Sequence, residues 1–193
     1  GGTSLGRLSG AIADITRAPF AVRLNSAMIG AFETLAPYIT EEPLKTLVQD
    51  VRGNADAIAA YCHEDPALFP YVSTTIAPTM IRGGSAACNV MPQDMQAVIN
   101  FRLGSGDTAE SVMAHCRAAV QDPGVELRFQ QANDPSHIAR RDGYGYRALV
   151  ETMGRYFPEV VFVPAMTAGA TDAYRYEQIC DTCLRCSPFM TEP

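Results

Sequence analysis

Two residues stand out by type and spacing as able to do chemistry: Asn89 and Arg102, thirteen positions apart. They bracket the stretch NVMPQDMQAVINFRLGSGDT, Asn89 to Thr108, which opens in an Asn-Val-Met-Pro turn and closes in a Gly-Ser-Gly-Asp-Thr break. A guanidinium fork matches a carboxylate bidentately, so an Asn and an Arg presented together suit an anionic or carbonyl-bearing ligand. The plain alternative is a strand-end arginine surrounded by water. Cys180, Cys183 and Cys186 form C-x2-C-x2-C ahead of Ser-Pro, a spacing found among iron-sulfur ligands. A cluster needs a fourth thiolate and a glycine-rich wrapping loop, and the sequence nearby offers neither. His63, Glu64 and Asp65 are consecutive, cannot converge on one ion from a helix, and read as a solvated helix end. The chain has only three histidines, none spaced with acids for ligation, so no metal ligand is assigned.

The key strand shows period two: Ala97, Ile99 and Phe101 share one face, and Val98, Asn100 and Arg102 share the other. Gly104, Ser105 and Gly106 end it, and Asp107 with Glu110 three residues on predicts an N-cap and capping box for a helix over Thr108 to Val120. Val72 to Ile81 is rich in β-branched residues and predicts a partner strand, with Pro78 marking an edge or bulge and Gly83-Gly84 turning the chain back. Pro123-Gly124 precedes a further expected strand, Val125 to Gln130. Leu5, Leu8, Ile12 and Ile15 recur at helical spacing in Thr3 to Thr16, which Pro19 stops. Asn25 to Cys62 reads as three helical pieces: Ala27 to Leu35, a second capped by Thr40 with Glu41 and Glu42 in its first turn, and Ala55 to Tyr61 capped by Asn54. The order helix, strand, strand, helix, strand is that of an α+β, ferredoxin-like sandwich lacking its first strand.

Gln131 to Asp142 is polar and reads as a linker. Beyond it, a helix over Tyr144 to Tyr156, a buried strand Val160 to Val163, a helical turn Thr171 to Tyr176 and a strand Leu184 to Phe189 suit one edge of an α/β domain. The expected division is residues 3–131, with a helical insertion at about 25–65, a linker at 132–142, and an incomplete α/β segment at 143–193. A net charge of -6 argues against nucleic acid or an anionic membrane as partner. No apolar run approaches the ~20 residues a membrane helix needs, and no signal-peptide pattern opens the chain. Cys62, Cys88 and Cys116 are scattered, and the six thiols together suit a reducing compartment, so the expected location is the cytoplasm.

Asn-Val-Met-Pro placed thirteen residues before the arginine of a strand ending in Gly-Asp-Thr resembles the lid domain of the dinuclear-zinc aminoacylase and carboxypeptidase family, metallopeptidase family twenty. The segment PAMTAGATDAYRYEQICDTCLRCSP, Pro164 to Pro188, is similar to that family's Gly-Gly-Thr-Asp-Ala segment late in the catalytic domain. The resemblance implies a zinc amidohydrolase or peptidase, with two zinc ions in the full-length enzyme and a homodimer formed through the lid. Its implied substrate is a small N-acyl amino acid or peptide with an unblocked carboxylate. Arg102 would hold that carboxylate, Asn89 would assist, and Gly169, Thr171 and Asp172 would line the pocket. Ala170 stands where the family has a second glycine, and Asp172 reads equally well as a helix N-cap. Gly1-Gly2-Thr3 stands where a Gly-Gly-His-Ser turn is expected, so no residue takes that histidine's role. The family's His-x-Asp turn, bridging Asp, Glu-Glu pair and late His have no counterpart. The chain is therefore expected to carry no catalytic residue, to bind no zinc and to be inactive alone. The alternative is a non-catalytic ferredoxin-like dimerisation or ligand-binding module.

Overall fold

The computed structural model describes residues 2–167, 169, 171–180 and 182–186. In chain order it holds α1 (Ser4–Arg17), α2 (Ser26–Leu35), α3 (Leu44–Leu47), α4 (Ala55–Glu64), β1 (Thr75–Gly83), β2 (Met95–Arg102), α5 (Ala109–Ala119), α6 (Tyr144–Tyr156) and α7 (Ala173–Tyr176), with short 3-10 turns between several of them. Two compact units emerge, Gly1–Arg23 with Ala59–Pro135, and Leu24–Ile58 with Ser136–Pro193.

In the first unit, β1 and β2 form an antiparallel hairpin in register Thr75↔Arg102 through Gly83↔Met95. The register shifts between Pro78 and Met80, the bulge that a residue without an N–H forces on a ladder. Gly83 and Gly84 take φ of 108° and 120°, a left-handed backbone open to glycine, where the chain leaves β1. α1 and α5 supply the buried side chains of a core built on Ile15, Val112 and Cys116. Ile76, Ile99, Phe101, Leu103 and Leu127 pack against it, so the odd-numbered face of β2 points inward as its alternation predicts.

Four expectations fail here. The N-cap of α5 is Thr108, and Ser111, not Glu110, completes the capping box, with hydroxyl-to-backbone contacts of 3.1 and 2.9 Å. Asp107 is unavailable as a cap because its carboxylate faces back toward Arg23 and Thr74. Val125 to Gln130 joins no ladder, although Leu127 reaches the core. In the second unit, α3 starts at Leu44, so Thr40 does not cap it, and Pro43 at its N-cap offers no side-chain acceptor. Glu42 instead accepts from the backbone N–H of Thr46 at 3.2 Å and its hydroxyl at 2.8 Å.

In the second unit, Asn25 caps α2, its Oδ1 accepting from the N–H groups of Ala27 and Met28 at 3.0 Å each. Ala27, Met28, Ala31 and Phe32 form that helix's buried face. Glu33 on α2 accepts from Arg52 at 2.8 Å and from Arg141 at 3.2 Å. The Arg141 guanidinium lies across Gly30 so closely that an added Cβ would meet it at 2.3 Å. α6 covers the whole span the sequence predicts. Val160 to Val163 is not a strand: among the described residues no segment pairs with it, and Val160 and Val161 are exposed. Leu184 to Cys186 is likewise irregular, and the rest of the strand expected there lies outside the described residues. Among the described residues the architecture is thus mixed helix with one two-stranded antiparallel sheet, an α+β arrangement.

Candidate functional site

Arg102 is the last residue of β2 and stands opposite Thr75 at the open end of the hairpin. The turn beyond it is tied down by a polar cluster that patterning along the chain did not reveal. Thr74 is 2% exposed, and its hydroxyl accepts from the buried Gly104 N–H at 2.8 Å while donating to the Asp107 carboxylate. The other oxygen of that carboxylate accepts from Arg23, whose Nε also donates to the Ser105 carbonyl at 2.9 Å. Gly104 sits so close to the residues leading into β1 that an added Cβ would meet Ser73 C and Thr74 N at 3.0 Å. Gly106 has φ of 91°, which lets the backbone turn beneath the Arg23 guanidinium. Three chain segments, the run before α2, the start of β1 and the exit of β2, therefore meet one carboxylate beside Arg102. Asp107, in the Gly-Ser-Gly-Asp-Thr break, was the one local signal. Arg23 gave none, because it lies 84 residues away along the chain.

Asn89 lies in the connection between the strands, exposed, in a turn closed by Val90 N–H to the Ala87 carbonyl at 3.2 Å. Ser4 at the start of α1 anchors the same connection, donating to the carbonyls of Pro92 at 2.6 Å and Gln93 at 2.8 Å. That connection leaves the Met95 end of β2, whereas Arg102 is at the opposite end. An antiparallel strand rises ~3.4 Å per residue, so β2 spans roughly 24 Å. The hairpin does not bring Asn89 and Arg102 together.

Gly169, Thr171 and Asp172 belong to the second unit. Gly169 is exposed, and Ala170 lies outside the described residues. Thr171 is half-buried, its hydroxyl accepting from the Ala173 N–H at 3.3 Å. Asp172 occupies the position before α7 but makes no side-chain cap bond, and instead approaches Arg175 Nε at 3.5 Å. One turn further on, Glu177 accepts from the backbone N–H of His137 at 3.3 Å and from its ring Nδ1 at 3.1 Å. Loss of hydration pulls the Glu177 pKa up, but hydrogen bonds from Ser136 and His137 outweigh it and hold the carboxyl below its usual value.

Among the described residues no three His, Cys, Asp or Glu side chains gather to hold a metal ion. His115 is stacked on Phe20 at 4.1 Å between centroids, with its Nε2 3.3 Å from the Ala18 carbonyl. His63 meets Glu64 at 3.5 Å on an exposed surface. None of the described helices is long and apolar enough to cross a membrane.

Residues 21–128, which carry Arg23, Thr74, Asn89, Arg102 and Asp107, match the model of the M20 peptidase dimerisation domain. The chain belongs to the M20 peptidase family. Among curated proteins, this dimerisation domain and the segment after it are 26% identical over 197 residues to the human N-fatty-acyl-amino acid synthase/hydrolase PM20D1, covering 99% of this chain and 38% of that protein. The zebrafish (Danio rerio) N-fatty-acyl-amino acid synthase/hydrolase PM20D1.1 is 31% identical over 125 residues, 64% of this chain and 24% of its own length. A probable carboxypeptidase S-like 2 of Dictyostelium discoideum is 27% identical over 128 residues, 66% of this chain and 24% of its own. The chain spans between about a quarter and two-fifths of these relatives. No solved structure gives a significant match.

Proposed function

We propose that this chain is the lid, together with a piece of the catalytic domain, of a zinc-dependent amidohydrolase. Its substrate is an N-acyl amino acid or small peptide whose carboxylate is unblocked. The observation that carries the reading is the dimerisation-domain match over 21–128, in a chain whose curated relatives are named as N-fatty-acyl-amino acid synthase/hydrolases and a carboxypeptidase-like protein. In this reading residues 3–131 form the lid, 132–142 the linker and 143–193 the catalytic-domain segment. The lid is a ferredoxin-like sandwich built on the β1–β2 hairpin, with α1 and α5 packed against it.

Zinc is the metal the family resemblance implies, and the residues described here do not fit it. His115 stacks on Phe20, His63 and His137 each meet one acid, Glu64 and Glu177, and among the described residues no third His, Cys, Asp or Glu joins either pair to close a ligand set. In this reading the two ions are held by other parts of the whole enzyme, and this chain alone is inactive. Its own contribution is binding. Arg102 grips the substrate carboxylate through two N–H groups, and its strand-end position is held by the Thr74–Asp107–Arg23 cluster. Asn89, at the far end of the hairpin, takes no part in that grip, and the segment with Gly169, Thr171 and Asp172 offers backbone N–H groups to ligand oxygens. The enzyme works as a homodimer joined through the lid, and six thiols with no disulfide suit a reducing cytoplasm.

The test is hydrolysis of N-acyl amino acids by the full-length protein, with and without a zinc chelator, alongside its mass by sedimentation. Chelator-sensitive release of the amino acid by a dimer is expected. A metal-replete dimer with no hydrolysis of any N-acyl amino acid or dipeptide would favour the non-catalytic module.

A further inference from the structure

Cys180 directly follows the turn at 177–179 that closes α7, and its sulfur stands 3.3 Å from that of Cys183. The turn is held on both sides. The Tyr176 carbonyl accepts from the N–H groups of Ile179 at 2.9 Å and Cys180 at 3.0 Å, and from the Cys180 thiol at 3.0 Å. Thr182 and Leu184 lie against the first turn of α6, 3.6 and 3.7 Å from where a Cβ on Gly145 would stand. Cys180 is exposed and Cys183 half-buried, so a small solute reaches both, whereas Cys62 and Cys116 are buried. Burial pushes the Cys62 thiol up to about 11 and raises Cys116, which keeps both protonated and unreactive near neutrality. Neither the dimerisation-domain match nor the proposed carboxylate grip uses the Cys180 turn.

We propose that Cys180 and Cys183 are a reversible dithiol–disulfide pair that exchanges with low-molecular-weight disulfides. The Cys180 thiolate attacks one sulfur of the small disulfide, forming a mixed disulfide and expelling one small thiolate. The Cys183 thiolate then attacks the Cys180 sulfur, closing the internal bond and expelling the second. Two protein thiols are oxidised, one small disulfide is reduced to two thiols, and the protons lost by the cysteines end on those products. Cys180 attacks first because it is the more exposed sulfur. The Cys183 thiol is held up by its hydrogen bond with Cys180, then by loss of hydration and the nearby negative charges, which makes it the weaker first nucleophile of the two. A disulfide bond is about 2.05 Å long, so the sulfurs need approach by only about 1.2 Å. The ring spans few residues and lies at the surface, which makes the bond weakly stabilising and readily reduced.

The experiment uses the full 193-residue chain, folded, with excess oxidised glutathione as the probe. After acid quench, alkylation and proteolysis, mass spectrometry should find the Cys180–Cys183 peptide unalkylated at both cysteines and lighter by two hydrogens. Dithiothreitol should restore alkylation at both. Cys183→Ser should leave Cys180 trapped as a glutathione adduct, and Cys186→Ser should leave the internal bond intact. Full alkylation of both cysteines after oxidation, or a wild-type bond running to Cys186 instead, would overturn the proposal. Since nothing in this readout involves hydrolysis, it stands or fails apart from the amidohydrolase reading.

Discussion

Thr74→Val removes one hydroxyl and keeps the side chain's shape, and the structure says where the loss is felt. The hydroxyl is the acceptor for the buried Gly104 N–H and a donor to Asp107. A buried donor left without an acceptor costs ~1–3 kcal/mol, and a hydrogen bond to a charged group contributes ~1.5–3 kcal/mol. Arg23 still pairs with Asp107, and about half of its side chain is solvated, so part of the second loss is recovered. A net destabilisation of roughly 2–4 kcal/mol is expected. Localised at the hairpin's open end, it should raise native-state amide exchange at Gly104 by at least roughly 30-fold. Exchange measured residue by residue, together with urea unfolding of the same variant, reads both numbers. Thr74→Ser keeps the hydroxyl and should lie much closer to wild type. Asp107→Ala combined with Thr74→Val should cost clearly less than the sum of the two, because they share a hydrogen bond. Gly104 exchange unchanged in Thr74→Val, with stability within ~0.5 kcal/mol of wild type, would refute the cluster's role.

In the full-length enzyme, Arg102→Ala should lower kcat/KM on free-acid substrates by roughly 10- to 150-fold, the equivalent of ~1.5–3 kcal/mol of charge-assisted contact. Arg102→Lys should recover only part, and a substrate amidated at its carboxylate should be turned over alike by wild type and mutant; equal rates on the free acid would discard the assignment. Ile15→Ala opens a void among Val112, Cys116 and the inner face of β2, and should cost ~2–5 kcal/mol in denaturant unfolding. Glu177 has its folded pKa lowered below the ordinary 4.5, so its contribution is present above that value and is lost as pH falls through the folded pKa. Acidification through that range should therefore loosen the His137 amide, whose exchange, corrected for intrinsic rate, is the measurement; protection that stays constant to low pH would contradict it.

Local signals determined a good deal of this protein. Apolar spacing in Leu8, Ile12 and Ile15 and across Ala27 to Leu35 is a pattern within a few residues, so α1 and α2 were legible from the chain alone, while their caps, Thr3 and Asn25, emerged only in the structure. Period two in Ala97, Ile99 and Phe101 placed β2 and its buried face, Pro78 placed the bulge, and the Asn-Val-Met-Pro and Gly-Asp-Thr signatures pointed to the M20 family. Pairing partners decided the rest. Val125 to Gln130 and Val160 to Val163 have strand-like composition, but a strand exists only where another segment supplies its hydrogen bonds. Asp107 had the residue type and spacing of an N-cap, yet Arg23, 84 residues earlier, and Thr74, 33 residues earlier, claim its carboxylate, and the cap passes to Thr108. Asn89 and Arg102 are close in sequence, but a strand lies between them, and its ~3.4 Å rise per residue carries them to opposite ends of one hairpin. Sequence separation sets which groups can meet; only the folded chain sets which of them do.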